Sequence, residues 1–305
     1  MDPASTQEAA ASPRTRSRCS ACGKPFDRAA DPLVPVRCNI RKFARETFHM
    51  WRCSACRCIH CWERVELARY YAGYGTKDQR LDFFSRLAYS RLLSRFKRAG
   101  LSRDHRFLDY GCGSGNLVSY LRSRGYQRAV GYDPYGDPEG AGNPAILERR
   151  AFDFICLQDV VEHVEDAREL LRCLADLLRP GGRLLVGTPS ADEIDLPSTH
   201  KHLHQLHVPY HLHLYTRAML VEMGRQVGLE PARFYRRFYM ETPLFGMNEA
   251  FCRRYLERFD DTIDALIEPV RLGVILRSPV LLFHGTFGYF YSPRHSVTVV
   301  FRKQP

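Results

Sequence analysis

From Arg106 onward, short apolar runs alternate with longer amphipathic stretches along the chain. The short runs are bounded by glycine, proline or charged residues, which is typical of buried strands. The longer stretches repeat apolar residues every three or four positions and end at glycine, which is typical of helices. The predicted strands are RFLDY, AVGYD, FDFICLQ, RLLVGTP, ARFYRRFY and SVTVVFRK, and the predicted helices between them are NLVSYLRSRG, DVVEHVEDARELLRCLADLLRPGG and TRAMLVEMGRQVGLEP. This order predicts an α/β fold on a mostly parallel, doubly wound sheet.

Two more segments carry helical patterns. A helix is predicted over residues 76–100, because Thr76 and Gln79 have capping-box spacing and Gly100 ends the pattern. Its apolar stripe comprises Leu81, Phe84, Ala88, Leu92 and Phe96. Residues 241–293 interrupt the alternation before the last strand, with a predicted helix over 248–270 and an aromatic-rich loop.

Seven of the eleven cysteines lie between Cys19 and Cys61, in a segment with few aliphatic residues. No apolar signal sequence precedes them, so we expect a cytoplasmic protein whose thiols are reduced and bind metal. Two Cys-x2-Cys pairs match a tetrahedral structural zinc site, in which thiolates replace a missing core. The predicted zinc ligands are Cys19, Cys22, Cys53 and Cys56. The alternative ligands, or the members of a second site, are Cys38, Cys58, His60 and Cys61.

Composition divides the chain into a flexible tail over residues 1–18, a zinc-ribbon module with its linker over 19–75, and an α/β domain over 76–305. No run of about 18 apolar residues predicts a membrane-spanning helix. The net charge of +11 is compatible with nucleic-acid binding. Arginine accounts for most of this charge and no run of five or six basic residues occurs, so a nucleic-acid partner is disfavoured.

The segment FLDYGCGSGN, residues 107–116, places three glycines directly after a predicted strand that contains Asp109. These glycines are Gly111, Gly113 and Gly115. They let a ligand lie against the backbone at the carboxyl end of the strand. A dinucleotide fingerprint would need a further glycine where this chain has Asn116, so no pyrophosphate site is predicted. Asp133 ends the next strand, where an acid accepts hydrogen bonds from a ribose diol, and an aspartate of a turn is the alternative.

The order of the segments LDYGCGSGN, GYDP, FDFICLQDVVEHV and LRPGGRLLVGTP resembles the class I S-adenosylmethionine-dependent methyltransferases. The resemblance covers about residues 104–239 and the last strand, and it implies a Rossmann-like sheet of seven strands with S-adenosylmethionine as cofactor. It implies that the cofactor-binding residues are Asp109, Gly111, Gly113, Gly115, Asp133 and Asp159. One strand of the family, the third, is hard to find between Asp133 and FDFICLQ, so the adenine contacts stay unassigned.

The cysteine pairs followed by YYAGYG resemble the N-terminal zinc ribbon and tyrosine segment of bacterial methyltransferases that act on sugars and natural products. This resemblance implies O- or C-methylation of a small molecule, with residues 241–293 as part of a lid over the acceptor. An RNA methyltransferase that uses the ribbon and the basic surface is one alternative, and a module that binds cofactor without catalysis is another. The acceptor, the methylated atom and the oligomeric state stay open.

Residues 200–216, HKHLHQLHVPYHLHLYT, contain six of the twelve histidines. A metal site is disfavoured because Pro209 breaks any helix there and no acid or cysteine stands among the histidines. Most of the six are expected to be solvated, and the role of His207 is left open. The resemblance implies that His211, just before the next helix, faces the acceptor as general base, with His163 in VVEHV as the second candidate.

Overall fold

A six-stranded sheet forms the centre of the protein in a computed structural model that describes residues 15–71, 81–148 and 151–304. Its strands are β4 (Phe107–Tyr110), β5 (Ala129–Tyr132), β6 (Phe152–Gln158), β7 (Leu178–Pro189), β9 (Leu229–Tyr235) and β10 (Ser296–Lys303). Their order is β5-β4-β6-β7-β10-β9. The pairs of β4 with β5, of β4 with β6 and of β6 with β7 are parallel, whereas β10 is antiparallel to both of its neighbours. The predicted α/β fold is confirmed.

Helices cover both faces of this sheet. They are α2 (Phe83–Arg98), α3 (Asn116–Ser123), α5 (Ala167–Leu177) and α7 (Arg217–Gln226). Side chains of β6 alternate between the two layers, as the period of a strand requires. Ile155 and Leu157 join the core cluster that contains residues of α5 and α7, whereas Phe154 and Cys156 join the cluster that contains residues of α2 and α3.

Helix boundaries differ from the sequence pattern at several ends. The side chain of Asp82 accepts a hydrogen bond from the Ser85 amide and begins α2, while Thr76 and Gln79 lie outside the described residues. The helix predicted from Asp159 begins only at Ala167, because residues 161–163 form a single 3-10 turn. The side chain of Asp166 caps this later start.

The expectation of seven strands is wrong for the part of the chain that the structure describes, since the sheet has six. Turns and the four-residue helix α4 (Ala145–Glu148) follow β5, where the third strand of the family would lie. This segment, GDPEGAGNPAILERR, is rich in glycine, proline and charged residues and offers no alternating apolar face to a sheet.

A second, four-stranded sheet lies in the N-terminal part. Its order is β1 (Val34–Arg37), β2 (Thr47–Arg52), β3 (Ile59–Cys61) and β8 (His213–Leu214), and all pairs are antiparallel. The short helices α1 (Leu67–Tyr71) and α6 (Leu203–Leu206) pack beside it. The cysteine-rich module and the α/β domain therefore share one sheet and one apolar core. The division at residues 18 and 75 stays a prediction, and residues 1–14 and 72–80 lie outside the described part.

Residues 241–293 form helices α8 (Glu249–Leu256), α9 (Asp264–Ile267), α10 (Leu272–Leu276) and α11 (Pro279–Tyr291). The single helix predicted over 248–270 is thus interrupted, and Asp261 in the break has a left-handed φ of 57°. None of the helices described is both long enough and apolar enough to traverse a lipid bilayer.

Candidate active site and metal centre

Three aspartates lie at one edge of the central sheet, where its parallel strands end. Asp109 in β4 pairs in register with Gly131 of β5 and Cys156 of β6. Asp133 directly follows β5, and Asp159 directly follows β6. The carboxyl edge of a doubly wound sheet is where such folds bind ligands, so the predicted acids are brought to the expected place.

The glycine loop after β4 leaves free space above part of its backbone. Gly113 and Gly115 have left-handed φ values of 49° and 72°, and a Cβ built on either would meet no atom of the described residues within 4 Å. A Cβ on Gly111 would instead lie 2.3 Å from Cγ2 of Val160. Gly111 is thus required by packing, whereas Gly113 and Gly115 leave free space over the backbone.

Asp133 is fixed by the loop it faces. Its Oδ2 accepts a hydrogen bond of 2.9 Å from the Gly113 amide, and its Oδ1 accepts one of 2.9 Å from the Tyr135 amide. Each carboxylate oxygen keeps a second lone pair for a further donor. The carboxylate therefore joins the two predicted cofactor segments, β4 to α3 and β5 onward, and its oxygens can still accept further hydrogen bonds.

Burial next to a second acid perturbs Asp109. Its side chain is buried, and desolvation together with the charge of Asp133 raises its pKa to about 7. Burial also raises the pKa of Asp159, whose backbone has a left-handed φ of 54°. Both carboxyls lack a nearby cation among the described residues, so a positively charged ligand would favour their ionised forms.

The histidine stretch is far less exposed than expected. His202, His207, His211 and His213 are buried, His204 is half-buried, and His200 is exposed. The expectation of a solvated loop is therefore wrong for most of them. The stretch packs into the core shared with the N-terminal sheet, where individual hydrogen bonds satisfy several of its rings. The prediction that Pro209 excludes a long helix is confirmed, because α6 ends at Leu206.

His207, whose role the sequence left open, anchors the stretch to the loop that follows β1. Its Nδ1 lies 2.7 Å from Oδ1 of Asn39, and its ring stacks on that of Tyr210. His207 is buried, and its backbone adopts a left-handed φ of 36° where α6 ends. These contacts indicate a positioning role for the loop that carries His211.

His211 and His163, the two predicted catalytic residues, face each other with ring centroids 4.9 Å apart. Nδ1 of His211 lies 2.6 Å from the carbonyl oxygen of Gln205, and Nδ1 of His163 lies 2.9 Å from that of Tyr210. A carbonyl only accepts, so each Nδ1 carries the proton and each Nε2 keeps a lone pair. Burial lowers the pKa of His211 to about 3 and that of His163 to about 4, so both rings are neutral at physiological pH.

Glu162 completes this cluster. Its Oε2 accepts a hydrogen bond of 2.9 Å from Thr188, whereas its buried Oε1 has no hydrogen-bond partner among the described residues. Glu162, His163 and His211 each offer a ligand atom, all within 4.8 Å of one another. Glu162 was not predicted, because it lies outside residues 200–216, where an acid would have indicated a metal site. The available signal was the Glu-His pair in VVEHV, which follows the strand that ends near Asp159.

Tyr71 reaches the cluster from the N-terminal part. Its hydroxyl lies 3.2 Å from Nδ1 of His163, and its ring packs edge-on against Tyr210. The same ring stacks on Tyr135, two residues after Asp133, with centroids 6.3 Å apart. Tyr71 therefore connects the predicted cofactor edge with the histidine pair. The tyrosine segment was noted in the sequence, but no site residue was assigned within it.

The four predicted zinc ligands lie together. One ligand atom from each of Cys19, Cys22, Cys53 and Cys56 lies within 4.8 Å of all the others. The Sγ atoms of Cys19 and Cys56 are 3.4 Å apart, and those of Cys22 and Cys53 are 3.7 Å apart. A tetrahedral ion with Zn–S bonds of about 2.3 Å requires sulfur separations of about 3.8 Å. The geometry of these thiols therefore fits a bound zinc ion.

Buried polar groups support this cysteine cluster. Nε2 of His60 lies 3.1 Å from Sγ of Cys19, and Asp31 accepts a hydrogen bond of 2.7 Å from the Ser54 amide inside one Cys-x2-Cys turn. The other cysteines of the segment, Cys38, Cys58 and Cys61, are buried. Within residues 15–71, 81–148 and 151–304, these three cysteines and His60 do not form a second metal site.

Comparison with known proteins identifies the domain. Residues 82–233 match the family described as a methyltransferase domain. Two curated relatives, both named ubiquinone biosynthesis O-methyltransferase, come from Aeromonas salmonicida and Methylocella silvestris. The first is 30% identical over 102 residues, which cover 27% of this chain and 42% of the relative. The second is 32% identical over 132 residues, which cover 34% of this chain and 51% of the relative. The chain thus spans about half the length of the curated relatives it matches.

Solved structures resemble the chain more loosely. A chain of the Haloferax volcanii complex that contains the Trm112 methyltransferase activator has a TM-score of 0.49 and 17% identity, and covers 79% of this chain and 99% of that one. A Burkholderia thailandensis 1,6-didemethyltoxoflavin-N1-methyltransferase, solved with S-adenosylhomocysteine, has a TM-score of 0.45 and 16% identity, and covers 85% of this chain and 96% of that one.

Proposed function

The chain carries a class I S-adenosylmethionine-dependent methyltransferase domain over residues 82–233, and on that premise we propose that the protein methylates a small-molecule acceptor. The observation that carries the proposal is the juxtaposition of an open glycine loop with a buried Glu-His-His cluster. Val160, against which Gly111 packs, stands between Asp159 and Glu162 in the chain. The cofactor edge and the basic cluster are therefore neighbours, as methyl transfer requires.

The cofactor fits the residues at the sheet edge. S-adenosylmethionine carries an α-ammonium group and a ribose diol. In the proposal, Asp109 faces the ammonium end above Gly113 and Gly115, and Asp133 accepts hydrogen bonds from the diol. Asp159 completes the acidic edge. The free space over Gly113 and the raised pKa of Asp109 support this placement, since both features suit a cationic ligand lying against the backbone.

Methyl transfer to a hydroxyl requires two things of the protein, which are alignment of the acceptor atom and a group that accepts its proton. Methyl transfer is an in-line displacement at a sulfonium, so the site must hold the acceptor atom behind the methyl group and exclude water. We propose that Nε2 of His211 accepts the proton of a hydroxyl acceptor, with His163 as its neighbour. A base with a pKa of about 3 does not deprotonate a free hydroxyl, but it suffices once the new C–O bond makes that proton strongly acidic.

Oε1 of Glu162, which has no hydrogen-bond partner among the described residues, favours a second way to activate the acceptor. Glu162, His163 and His211 form the donor set of one carboxylate and two imidazoles that divalent transition metals accept. A cation there would lower the pKa of a bound hydroxyl directly. Titration of Mg²⁺, Mn²⁺ or Zn²⁺ into protein whose cysteine site stays loaded would separate the two mechanisms. Metal-dependent turnover that Glu162→Gln abolishes supports the cation, and turnover that does not change with added metal supports the base.

The segment 241–293 is proposed as a wall of the acceptor site. Glu249, the first residue of α8, accepts a hydrogen bond of 2.7 Å from Gln205, whose carbonyl oxygen binds His211. The start of the segment is thus two hydrogen bonds from the proposed base. This linkage supports the predicted lid.

We propose that Cys19, Cys22, Cys53 and Cys56 hold a structural zinc ion. The ion would fix the N-terminal part of the chain, in which the loop after β1 carries Asn39 and helix α1 carries Tyr71. In that role the cysteine cluster acts on catalysis through position alone.

The acceptor is proposed as a hydroxylated small molecule. The names of the curated relatives favour an aromatic hydroxyl, whereas the zinc ribbon and tyrosine segment favour a sugar or natural product. RNA is the alternative that the basic charge leaves open. Methyl-labelled S-adenosylmethionine should be incubated with catechols, sugar nucleotides and total RNA, beside the Asp133→Ala variant. The proposal is supported if the wild type transfers label to a small-molecule fraction and the Asp133→Ala variant does not. Label found only in RNA contradicts it.

A further inference from the structure

Helix α11 turns its aromatic side chains away from the protein. Phe283, Phe287, Phe290 and Tyr291 recur at the spacing of one helical stripe, and Phe290 is 70% exposed. The rings of Phe283 and Phe287 lie 5.4 Å apart, so the stripe is continuous. Leu276 at the end of α10 precedes this stripe and is also 70% exposed. We call these five residues the aromatic face.

The opposite side of α11 fixes this orientation. Leu281, Gly285 and Gly288 are the buried residues of the helix. A Cβ on Gly285 would lie 2.5 Å from the ring of Phe245, and one on Gly288 would lie 2.2 Å from Oδ1 of Asn248. Only glycine fits at positions 285 and 288, so the helix cannot rotate to bury its aromatic side chains. The exposure of the aromatic face is a consequence of packing.

Basic residues, and no acidic ones, flank α11 in the sequence. From residue 269 to the end of the chain there is no aspartate or glutamate, whereas Arg271 and Arg277 precede α11 and Arg294 follows it. Arg271 forms an ion pair with Glu268, whereas Arg277 is exposed and forms no ion pair with a carboxylate in the described part of the chain. A two-fold contact between copies would bring identical basic rims together, which disfavours a second copy as the occupant.

We propose that the aromatic face binds the surface of an anionic lipid bilayer. Aromatic and leucine side chains enter the boundary between headgroups and acyl chains, and the arginines pair with anionic headgroups. The binding is interfacial, because the described helices are too short or too polar to cross the membrane. This inference is independent of the proposed methyl transfer.

Vesicle flotation tests the proposal with the whole chain. Wild-type protein is expected to float with vesicles of phosphatidylcholine and about one third phosphatidylglycerol, and to stay behind with pure phosphatidylcholine at physiological salt. The double variant Phe287→Ser, Phe290→Ser should weaken binding at least about tenfold, since most of the inserted apolar area is lost. Arg277→Gln should weaken it about fivefold, which corresponds to one basic residue at an anionic surface.

A matched control uses a second pair of exposed phenylalanines. Phe83 and Phe84 on α2 are 68% and 54% exposed, and Phe83→Ser, Phe84→Ser should float like the wild type. Circular dichroism confirms that each variant is folded. The proposal is overturned if wild type ignores anionic vesicles, if the control pair loses binding equally, or if light scattering shows a dimer that the α11 variant dissociates while vesicles bind neither form.

Discussion

The Nδ1 atoms of His60 and His213 lie 2.9 Å apart, although the two residues are separated by 153 positions in the chain. His60 stands in β3 beside the cysteine cluster, and His213 stands in the histidine stretch that also carries His211. One ring must donate and the other accept, so the buried pair contains at least one neutral imidazole. This hydrogen bond joins the proposed zinc centre to the proposed catalytic loop.

Replacing His213 by phenylalanine should therefore affect metal retention as well as stability. His60 would lose its buried partner, which costs about 1–3 kcal/mol in the free energy of unfolding. His213 orients His60, and His60 contacts the proposed zinc ligand Cys19. Loss of His213 should therefore weaken zinc affinity about 10–100-fold. Chemical unfolding and competition with a zinc chelator measure the two effects. His200→Ala is the control, because His200 is exposed and should change stability by less than about 0.5 kcal/mol. Unchanged zinc affinity in the His213 variant would contradict the linkage.

Cys53→Ser should release zinc and loosen more than the N-terminal segment. Three thiols do not close a tetrahedral structural site, and the N-terminal sheet shares its core with Leu206, Val208 and Leu214. Hydrogen exchange should rise in residues 34–61 and also in residues 203–214, while β4, β6 and β7 stay protected. The matched variant Cys173→Ser alters an exposed thiol outside the cluster and should leave both the exchange pattern and the zinc content unchanged.

Asp133→Ala should weaken the binding of S-adenosylhomocysteine at least about tenfold, because a hydrogen bond to a charged group contributes about 1.5–3 kcal/mol. Gly113→Val should weaken it as well, since its side chain would occupy the space above the loop. Calorimetry with the product measures both variants. Asp137→Ala provides the control, because Asp137 caps an exposed turn of the same loop through the Glu139 amide. Equal affinity in all four proteins would refute the cofactor assignment.

Cofactor affinity should depend on pH through Asp109. Its pKa of about 7 lies above the ordinary value near 3.9, so ionising it costs the unliganded protein stability as pH rises towards 7. A ligand with an ammonium group prefers the ionised form. Affinity for S-adenosylhomocysteine should thus be highest above pH 8 and fall by about tenfold between pH 8 and pH 6. The Asp109→Asn variant should bind S-adenosylhomocysteine weakly at every pH. Calorimetry across this range measures both proteins, and a wild-type affinity that does not change with pH would contradict the prediction.

His211→Ala should lower turnover by about 10²–10⁴-fold while the affinity for S-adenosylhomocysteine hardly changes. The base must be unprotonated, and it is neutral above its pKa of about 3. Titration of these histidines should therefore not lower the turnover rate between pH 5 and pH 9. Any change of the rate with pH in that range comes from the titration of another group. Steady-state rates with an identified acceptor measure both properties. His200→Ala is again the matched control. Near-normal turnover in the His211 variant would show that His211 is not the general base.

Much of the central sheet could be predicted from its sequence pattern. The segments FDFICLQ and SVTVVFRK are strands over the same residues in the structure, because continuous apolar runs between charged or turn residues leave few alternatives. The cysteine pairs were also placed correctly, since metal-ligand spacing is a local property. The missing third strand agrees with the lack of any apolar alternation after Asp133.

Other features depend on contacts that no local pattern encodes. The two residues of β8 are too few to show a period, and their partner strand lies far away in the chain. The burial of His207 follows from Asn39, and the role of Glu162 follows from a 3-10 turn that brings it beside His163. Polar residues in a proline-containing stretch are ordinarily solvated, so their burial is visible only once each hydrogen-bond partner has been located.

The position of β8 at the edge of the N-terminal sheet also sets an order of events during synthesis. A ribosome releases β1, β2 and β3 well before residues 213 and 214, so any sheet that these three strands form during synthesis has an open edge at β3. An open edge is a template for pairing with another chain. Closing the loop between His60 and His213 costs entropy that grows only slowly with its length. The pairing of β8 with β3 is therefore delayed chiefly by the time needed to synthesise residues 62–212. We expect the open edge of β3 to favour aggregation of the nascent chain during that time.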